Sequence, residues 1–233
     1  MNSSAFSSLT LVKQTSEIIL DLEDFTFLNQ GEGGYRMKRN LWFALGIFLL
    51  SAPGLVYGAD WQVDPDHSSF QFKVRHLTVS SVRGDFGKVI QGVVYFDPQD
   101  VSNTKAQVIL DAASVSTNHA KRDEHLRGPD FFDVSKYPTI TFVSKQVTKA
   151  GPDTLKATGD LTLHGVTREV ALDIQGPAPE VKDPSGNFRR GLTATGKINR
   201  KDFGMAWNRA LDTGGMVIGD EVEISVEIEM IRK

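Results

Sequence analysis

Apolar and polar residues alternate along several short segments of this chain, most regularly near its end. Residues 222–230 read VEISVEIEM, in which every second residue is apolar and the others are glutamate or serine. A period of two places successive side chains on opposite faces of a β-strand. The segment is therefore predicted to be a strand with an apolar inner face, and Glu223, Glu227 and Glu229 are expected on its solvated outer face.

The same period flanks a turn in residues 159–174, which read GDLTLHGVTREVALDI. The His-Gly pair at 164–165 has the composition of a hairpin turn. A two-residue loop would set Leu161 opposite Arg168, whereas a four-residue loop over 164–167 would set it opposite Val170. These registers differ by two residues, so both place the same side chains on the apolar face: Leu161, Leu163, Val170 and Leu172.

About eight strand candidates and one short helix account for the chain after residue 60. Besides the three strands above, strands are predicted at residues 69–75, 82–96, 105–117, 139–147 and 188–198. Glycines 84, 87 and 92 predict that the second of these is curved. A proline-rich loop is expected at 176–186.

The only segment with helix-forming composition is residues 118–127, NHAKRDEHLR. Asn118 is the expected N-cap, and Gly128-Pro129 is the expected stop. One short helix cannot cover eight apolar strand faces. The strands must cover one another, either as two packed sheets or as one closed barrel.

The sequence leaves open whether that interior is solid. A barrel of about eight strands can pack its own side chains or hold one small ligand. Small residues on the predicted inner faces could make room for a ligand or could merely allow the strands to bend: Ala157, Gly159, Ala194 and Gly196. Bulky ones occupy other inner positions: Phe70, Phe72, Phe96 and Phe142.

The N-terminal part has the pattern of a leader that begins at Met37. Lys38-Arg39 precede the apolar run LWFALGIFLL, and small residues follow it. This is the pattern of a cleaved secretory signal peptide at 37–59, with cleavage after residue 58 favoured over residue 59. Residues 1–36 are interpreted as a mis-annotated, disordered upstream extension. An uncleaved anchor is the alternative, but the apolar run is short for a membrane span.

Composition narrows the function classes for the mature domain, 60–233. The chain has no cysteine, which excludes disulfides and thiolate chemistry. Its formal net charge of −3 gives no basic excess for nucleic-acid binding. The domain is large enough to bury a core without covalent cross-links.

Catalytic and metal-binding patterns are not found in the sequence. The five histidines do not show helical metal-pair spacing, and the one metal arrangement left open is His125 with Asp123 or Glu124. There is no G-x-S-x-G elbow and no phosphate-binding glycine loop. We therefore predict no catalytic residue, no metal and no cofactor.

Five segments resemble the YceI-like polyisoprenoid-binding proteins. They are DPDHSSFQFKVRHL at 64–77, Gly-Asp-Phe at 84–86, HLRGPDFFDVSKYPTITFVS at 125–144, GDLTLHGVTREVAL at 159–172 and NRKDFGMAW at 199–207. The resemblance covers nearly all of 60–233 in order. It implies an all-β, eight-stranded antiparallel, lipocalin-like barrel with an elongated apolar interior. Proteins of this kind are usually periplasmic and hold a long isoprenoid or a similar amphiphile.

With this resemblance, the predicted apolar ligand contacts are Phe70, Phe72, Val74, Phe86, Phe96, Phe142, Leu161, Leu163, Ile198, Phe203 and Trp207. The predicted polar contacts are His76, Arg83 and Arg127, with Arg75 beside them, because a phosphate or amide head group would need donors at one mouth. Each of these polar residues could equally be an ordinary surface charge.

The predicted function is non-catalytic binding, storage or transport of a polyisoprenoid or other long-chain lipid in the periplasm. The alternative is a lipid-modifying enzyme or isomerase in the same cavity, with His76 or His125 as acid or base. A solid barrel would instead indicate a structural or protein-binding role. The predicted partners are the lipid and no nucleic acid. A transient contact with a membrane or a membrane-bound lipid enzyme, and a homodimer, are compatible with this function.

Overall fold

A computed structural model describes residues 59–212 and 214–233. The predictions for the upstream extension and for the leader fall on residues 1–58, which lie outside the described residues. The strands and the helix are β1 (Ala59–Val63), β2 (Ser69–His76), β3 (Ser80–Phe86), β4 (Val89–Phe96), β5 (Lys105–Asp111), β6 (Val115–Ser116), α1 (Ala120–Arg127), β7 (Thr139–Lys149), β8 (Thr154–Leu163), β9 (Val166–Gln175), β10 (Val181–Lys182), β11 (Phe188–Asn199) and β12 (Ile218–Arg232).

The strands close into a barrel, as predicted. Eight of them follow one another around it in the order β11-β9-β8-β7-β5-β4-β1-β12, and β12 pairs back onto β11. Every pairing is antiparallel. α1 is the single α-helix of the described residues, and none of their helices is long and apolar enough to cross a membrane.

The last strand, β12, closes the barrel because it pairs with β11 on one edge and with β2 and β1 on the other. One edge pairs with β11 from Glu221 to Ile231. The other edge pairs first with β2, between Ile218 and Glu227, and then with β1, from Met230 onward. β3 and β6 continue the sheet beyond β2. The wall is therefore made of β2 and its neighbours toward one end and of β1 toward the other.

The β8–β9 hairpin has the tighter of the two registers predicted for it. Leu161 lies opposite Arg168, and Leu163 lies opposite Val166. The loop is therefore the two residues at 164–165, whose φ angles are 50° and 73°. Two consecutive positive φ angles define the type I′ turn that matches the twist of paired strands.

Two predicted boundaries were wrong, and two strands were not predicted. The curved strand predicted at 82–96 is two strands, β3 and β4, because the chain bends at 87–88. β3 pairs with β2, whereas β4 pairs with β1 and β5. The strand at 105–117 is interrupted by a 3₁₀ turn at Ala112–Ser114. β1 was not predicted, nor was β10, which lies within the loop expected at 176–186.

The predicted N-cap of α1 was also wrong. His119, not Asn118, caps the helix, since the His119 side chain accepts a hydrogen bond from the Arg122 backbone N–H. Gly128 is the C-cap, in agreement with the expected stop.

Buried apolar side chains form two clusters inside the barrel. The larger contains Phe70, Val108, Leu110, Ile140, Leu161 and Phe203, together with four further residues. The smaller surrounds Trp61 and contains Val94, Phe96, Val147, Leu155, Ala157 and Met230. The two clusters lie in series along β12, whose side chains Val226 and Ile228 pack beside the first and whose Met230 belongs to the second.

Candidate functional site

A cavity of about 450 Å³ runs through the barrel interior. β12 contributes side chains to it from Ile218 at one end to Met230 at the other. Twelve steps of about 3.3 Å, on strands tilted by about 40°, give the cavity a length of roughly 30 Å along the barrel axis. The interior is therefore hollow, and the solid barrel left open by the sequence does not occur.

The two ends of the cavity differ in composition. The first, which we call the helix end, is lined by residues of α1, the end of β2 and the connection between β11 and β12. The second, which we call the Trp61 end, lies beside the smaller core cluster and is lined by Phe96, Thr104, Pro177 and Met230. Between them the lining is almost entirely aliphatic and aromatic.

The ionisable side chains that line the cavity are all arginine or histidine. They are Arg75, His76, Arg122, His125 and Arg200, and all five lie at the helix end. Within the described part of the chain, no aspartate or glutamate lines the cavity. The helix end is therefore a basic mouth on an apolar tunnel.

The hydrogen bonds of the three arginines show that Arg200 has a structural role, whereas Arg75 and Arg122 form no ion pair among the described residues. Arg200 is buried and donates to the carbonyl oxygens of Met205 and Trp207 and to the Asp220 carboxylate, and burial lowers its pKa. It therefore fixes the connection between β11 and β12. Arg122 and Arg75 donate only to neutral oxygens, those of Thr117 and of Thr78 and Ser81.

An aromatic group covers part of the helix end. The His125 ring centroid lies 5.0 Å from that of Phe131 and 5.0 Å from that of Trp207, with edge-on geometry in both pairs. Nε2 of His125 is 2.8 Å from Oδ2 of Asp130. Asp123 accepts hydrogen bonds from the Thr117 backbone N–H and hydroxyl. Within the described residues, neither Asp123 nor Glu124 joins His125 in a group of three possible metal ligands.

Eleven of the residues predicted as ligand contacts line the cavity. They are Phe70, Phe72, Val74, His76, Phe86, Phe96, Phe142, Leu161, Leu163, Ile198 and Trp207. The alternation rule thus identified the inward faces of β2, β8 and β12. Contact of these residues with a ligand stays a prediction.

Three predicted contacts do not reach the cavity. Arg83 lies opposite Lys73 on the outer face of β3, because its neighbour Gly84 is the residue paired with inward Phe72. Arg127 donates to the carbonyl oxygens of Ala113 and Val115 instead. Phe203 is buried in the larger core cluster.

Sequence reasoning missed Arg122 and Thr104, which both line the cavity. α1 is rich in charged residues, and nothing in its pattern indicates which of them faces the barrel. Thr104 follows a turn that reads as ordinary surface loop. Only the β4–β5 pairing, which continues to Lys105, places it beside inward Phe96.

A cluster of ionisable groups lies outside the cavity, where β1 and β12 meet. Ligand-type atoms of Asp64, His67 and Glu229 lie within 4.8 Å of one another. The Arg189 guanidinium already binds two of these groups, at 2.7 Å from Asp64 Oδ2 and 2.5 Å from Glu229 Oε1. Its hydrogen bond lowers the pKa of Asp64 to about 2. The arrangement is an ion network around Arg189.

Comparison with known proteins identifies the family. The model of the YceI-like domain matches residues 61–230, nearly the whole barrel. The chain belongs to the YceI-like family. Escherichia coli protein YceI is 37% identical over 199 residues, a match that covers 84% of this chain and 100% of that protein. The resemblance seen in the sequence motifs is thereby confirmed.

Two solved structures share the barrel fold. The Campylobacter jejuni YCEI protein is 34% identical, with a TM-score of 0.59 over 68% of this chain and 90% of its own. A polyisoprenoid-binding domain from Saccharophagus degradans has a TM-score of 0.54, covering 74% of this chain and 98% of its own. At 16% identity the second likeness concerns the fold alone.

Proposed function

We propose that this YceI-like protein binds one long-chain lipid of the polyisoprenoid type inside its barrel. In this proposal it acts as a non-catalytic carrier or store for that lipid in the periplasm. The observation that carries the proposal is the continuous apolar cavity between the helix end and the Trp61 end. The family supports it, and the Saccharophagus degradans domain with the same fold is described as binding polyisoprenoid.

The length of the cavity favours a long chain. A bilayer has a hydrocarbon core about 30 Å thick, so an acyl chain in one leaflet spans about 15 Å. The cavity measures roughly 30 Å along the barrel axis by strand geometry, twice that span. A long isoprenoid is therefore a better match than an ordinary membrane acyl chain.

Burial alone can supply the affinity. Each methylene removed from water contributes about 0.8 kcal/mol, so a chain of about forty carbons gains some tens of kcal/mol before losses. Association and ordering of the ligand remove about 4–15 kcal/mol or more of that gain. The surplus is large without any catalytic group.

The basic helix end is where we place the polar head. Arg75 and Arg122 have no carboxylate partner among the described residues, and both line the cavity. A phosphate or amide oxygen would accept hydrogen bonds from them without displacing an ion pair. The leader-like segment at 37–59 supports export, and hence delivery between membranes, as the setting.

Native mass spectrometry of the full chain, expressed in a Gram-negative host, tests the proposal. The expected result is a bound molecule of defined mass that is recovered unchanged on extraction. Recovery of a chemically altered product with turnover would support the enzyme alternative, with His76 or His125 as acid or base. A mass equal to the chain alone after incubation with isoprenoid lipids would contradict binding.

Variants locate the site. Phe72→Asp and Phe142→Asp place a charge in the apolar cavity and are expected to abolish lipid retention. Val226→Trp fills the cavity without adding charge and is expected to do the same. Glu227→Lys, on the outer face of the same strand, should retain the lipid. Equal retention by all four variants would place the lipid elsewhere.

A further inference from the structure

Buried polar atoms without partners gather at the Trp61 end. Among the described residues, three buried side-chain nitrogen or oxygen atoms have no hydrogen-bond partner: Nε1 of Trp61, Oγ1 of Thr104 and Nε of Arg190. We call these three residues the Trp61-end cluster. Buried polar groups in folded proteins are nearly always hydrogen-bonded, so each exception calls for a physical reason.

The three residues of the cluster are linked through Phe96. The Arg190 guanidinium lies 5.4 Å from the ring centroid of Trp61 and 5.4 Å from that of Phe96. The β4–β5 register pairs Tyr95 with Lys105, so the next positions along the ladder, Phe96 and Thr104, are neighbours. Arg190 and Thr104 thus lie beside Phe96, and Arg190 also contacts the ring of Trp61.

Thr104 connects the cluster with the cavity. It is 6% exposed, and it lines the cavity together with Phe96. Ser144, also buried, lines the same region, and its Oγ accepts a hydrogen bond from the backbone N–H of Ala106. That bond leaves the Ser144 hydroxyl hydrogen available to donate. Thr104 and Ser144 are thus the hydroxyl-bearing residues that line this end of the cavity, whereas Trp61 and Arg190 are not among the lining residues.

The polar groups of the cluster favour a ligand atom that accepts hydrogen bonds. An indole N–H and a guanidinium N–H can only donate, whereas a threonine hydroxyl can donate or accept. Arg190 donates to the carbonyl oxygen of Ala178, and no carboxylate of the described residues forms an ion pair with it. The cluster is thus rich in donors and carries a positive charge without an acidic partner.

We propose that the Trp61-end cluster is a second polar subsite, which receives an oxygen atom of the lipid through the Thr104 hydroxyl. The subsite lies at the opposite end of the cavity from the basic mouth. The ligand then carries a hydroxyl, carbonyl or carboxylate oxygen at the end of its chain that reaches Thr104. This inference rests on lipid binding in the cavity and adds that the deep end of the ligand is not a plain hydrocarbon.

Thr104→Val tests the subsite, because it removes the hydroxyl and keeps the shape of the side chain. The probes are an alkane, a primary alcohol and an α,ω-diol of equal chain length, competed for the full-length protein and quantified by native mass spectrometry. The unaltered protein should prefer the diol over the alcohol by about threefold to tenfold, the range of one net hydrogen bond. Thr104→Val should abolish this preference, and Thr104→Ser should retain it.

The melting temperature shows whether the Thr104 hydroxyl is free to bind a ligand or is bonded within the protein. Thr104→Val is expected to raise the melting temperature of the lipid-free protein, since it removes a buried polar group without a partner. In Thr104→Val the melting temperature should therefore rise while the preference for the diol is lost. A lowered melting temperature together with an unchanged diol preference would overturn the subsite, because the hydroxyl would then be bonded within the protein.

The probes also distinguish the orientation of the lipid and the two proposals. A preference for the alcohol over the alkane that Thr104→Val removes would support the subsite with the lipid inserted head first. Identical preferences in the unaltered protein and in Thr104→Val would show that no ligand oxygen reaches the cluster, and the subsite alone would fail. Failure of every probe, and of an isoprenoid lipid measured beside them, to bind the unaltered protein would overturn lipid binding itself.

Discussion

Two glycines of the barrel wall are required because aromatic rings lie directly over them. Phe72 packs over Gly84, its cross-strand partner, and Phe142 packs over Gly159. A Cβ atom at Gly159 would lie 2.7 Å from Cζ of Phe142 and 2.5 Å from the carbonyl oxygen of Val143. Gly159 is therefore filled by its neighbour and does not itself create the cavity.

Gly159→Ala is accordingly expected to destabilise the protein by about 1–3 kcal/mol, the usual cost of forcing extra atoms into a packed core. Urea unfolding followed by tryptophan fluorescence measures the change. Gly87→Ala is the matched control, because no atom lies within 4 Å of the Cβ position there. An equal loss of stability in both variants would mean that crowding by Phe142 is not the cause.

Individual residues show what a sequence can predict and what it cannot. Alternation alone identified the inward faces of β2 and β12, since parity along a strand is a local property. The sequence could not show that the Phe142 ring covers Gly159, because that contact depends on the pairing of β7 with β8. Thr104 and Arg122 were missed for the same reason, as neither lies in a segment with a period of its own.

The β8–β9 hairpin depends on one turn at the helix end. Both residues of the turn have positive φ, which glycine adopts freely and histidine does not. His164 is held there by a hydrogen bond between its Nδ1 and the Phe203 carbonyl oxygen, at 3.0 Å. The Tyr137 ring packs against the turn, with its centroid 4.9 Å from that of His164.

Gly165→Ala is therefore expected to destabilise the fold by more than about 1 kcal/mol, because alanine at positive φ is strained and its methyl group would overlap the Tyr137 ring. Thermal unfolding measures the loss. In a Tyr137→Ala background the same substitution should cost less, since only the backbone strain remains. The same loss in both backgrounds would exclude the steric contribution.

At the level of elements, the sequence predicted where strands with regular alternation lie, but it did not predict where one strand ends and the next begins. The hairpin was predicted with two registers, and the structure adopts the two-residue loop. The bend at 87–88 was read as curvature within one strand, because a glycine indicates a bend without indicating a change of partner. β1 is short and follows the leader-like segment, and its role became visible only through its pairing with β4 and β12.

The ion network around Arg189 ties distant parts of the molecule together. Its guanidinium binds Asp64 after β1, Asp183 in the loop before β11 and Glu229 in β12. The hydrogen bonds from Arg189 lower the pKa of Asp64 and of Asp183 to about 2 each. Both carboxylates are therefore more acidic in the folded chain than in the unfolded one.

A lowered pKa makes the stability depend on pH in a defined direction. The stabilisation is fully present above the ordinary aspartate pKa of about 3.9 and is lost as pH falls toward the folded value of about 2. Urea midpoints measured from pH 5 down to pH 2 should fall steeply in the unaltered protein. Asp64→Asn should make that decline shallower, and Arg189→Gln shallower still. Parallel curves for all three proteins would contradict this account of acid sensitivity.

For the whole molecule, fold class followed from counting apolar faces. Eight amphipathic strands and one short helix leave few ways to bury those faces, and the closed barrel is one of them. The hollow interior could not be obtained in this way, since the same inner residues could have packed together. It follows from how far apart the barrel holds its walls, a property of tilt and register.

The position of β12 also determines the order in which the barrel can be completed. It is the last barrel strand in chain order, yet it pairs with β11 and with both of the first two strands. Trp61 and Arg232, separated by nearly the entire described chain, face each other across one of these ladders. A nascent chain cannot finish its wall until the ribosome has passed β12. A stop codon at Ile218 would leave β1, β2 and β11 with bare edges open to aggregation, not a slightly shorter barrel.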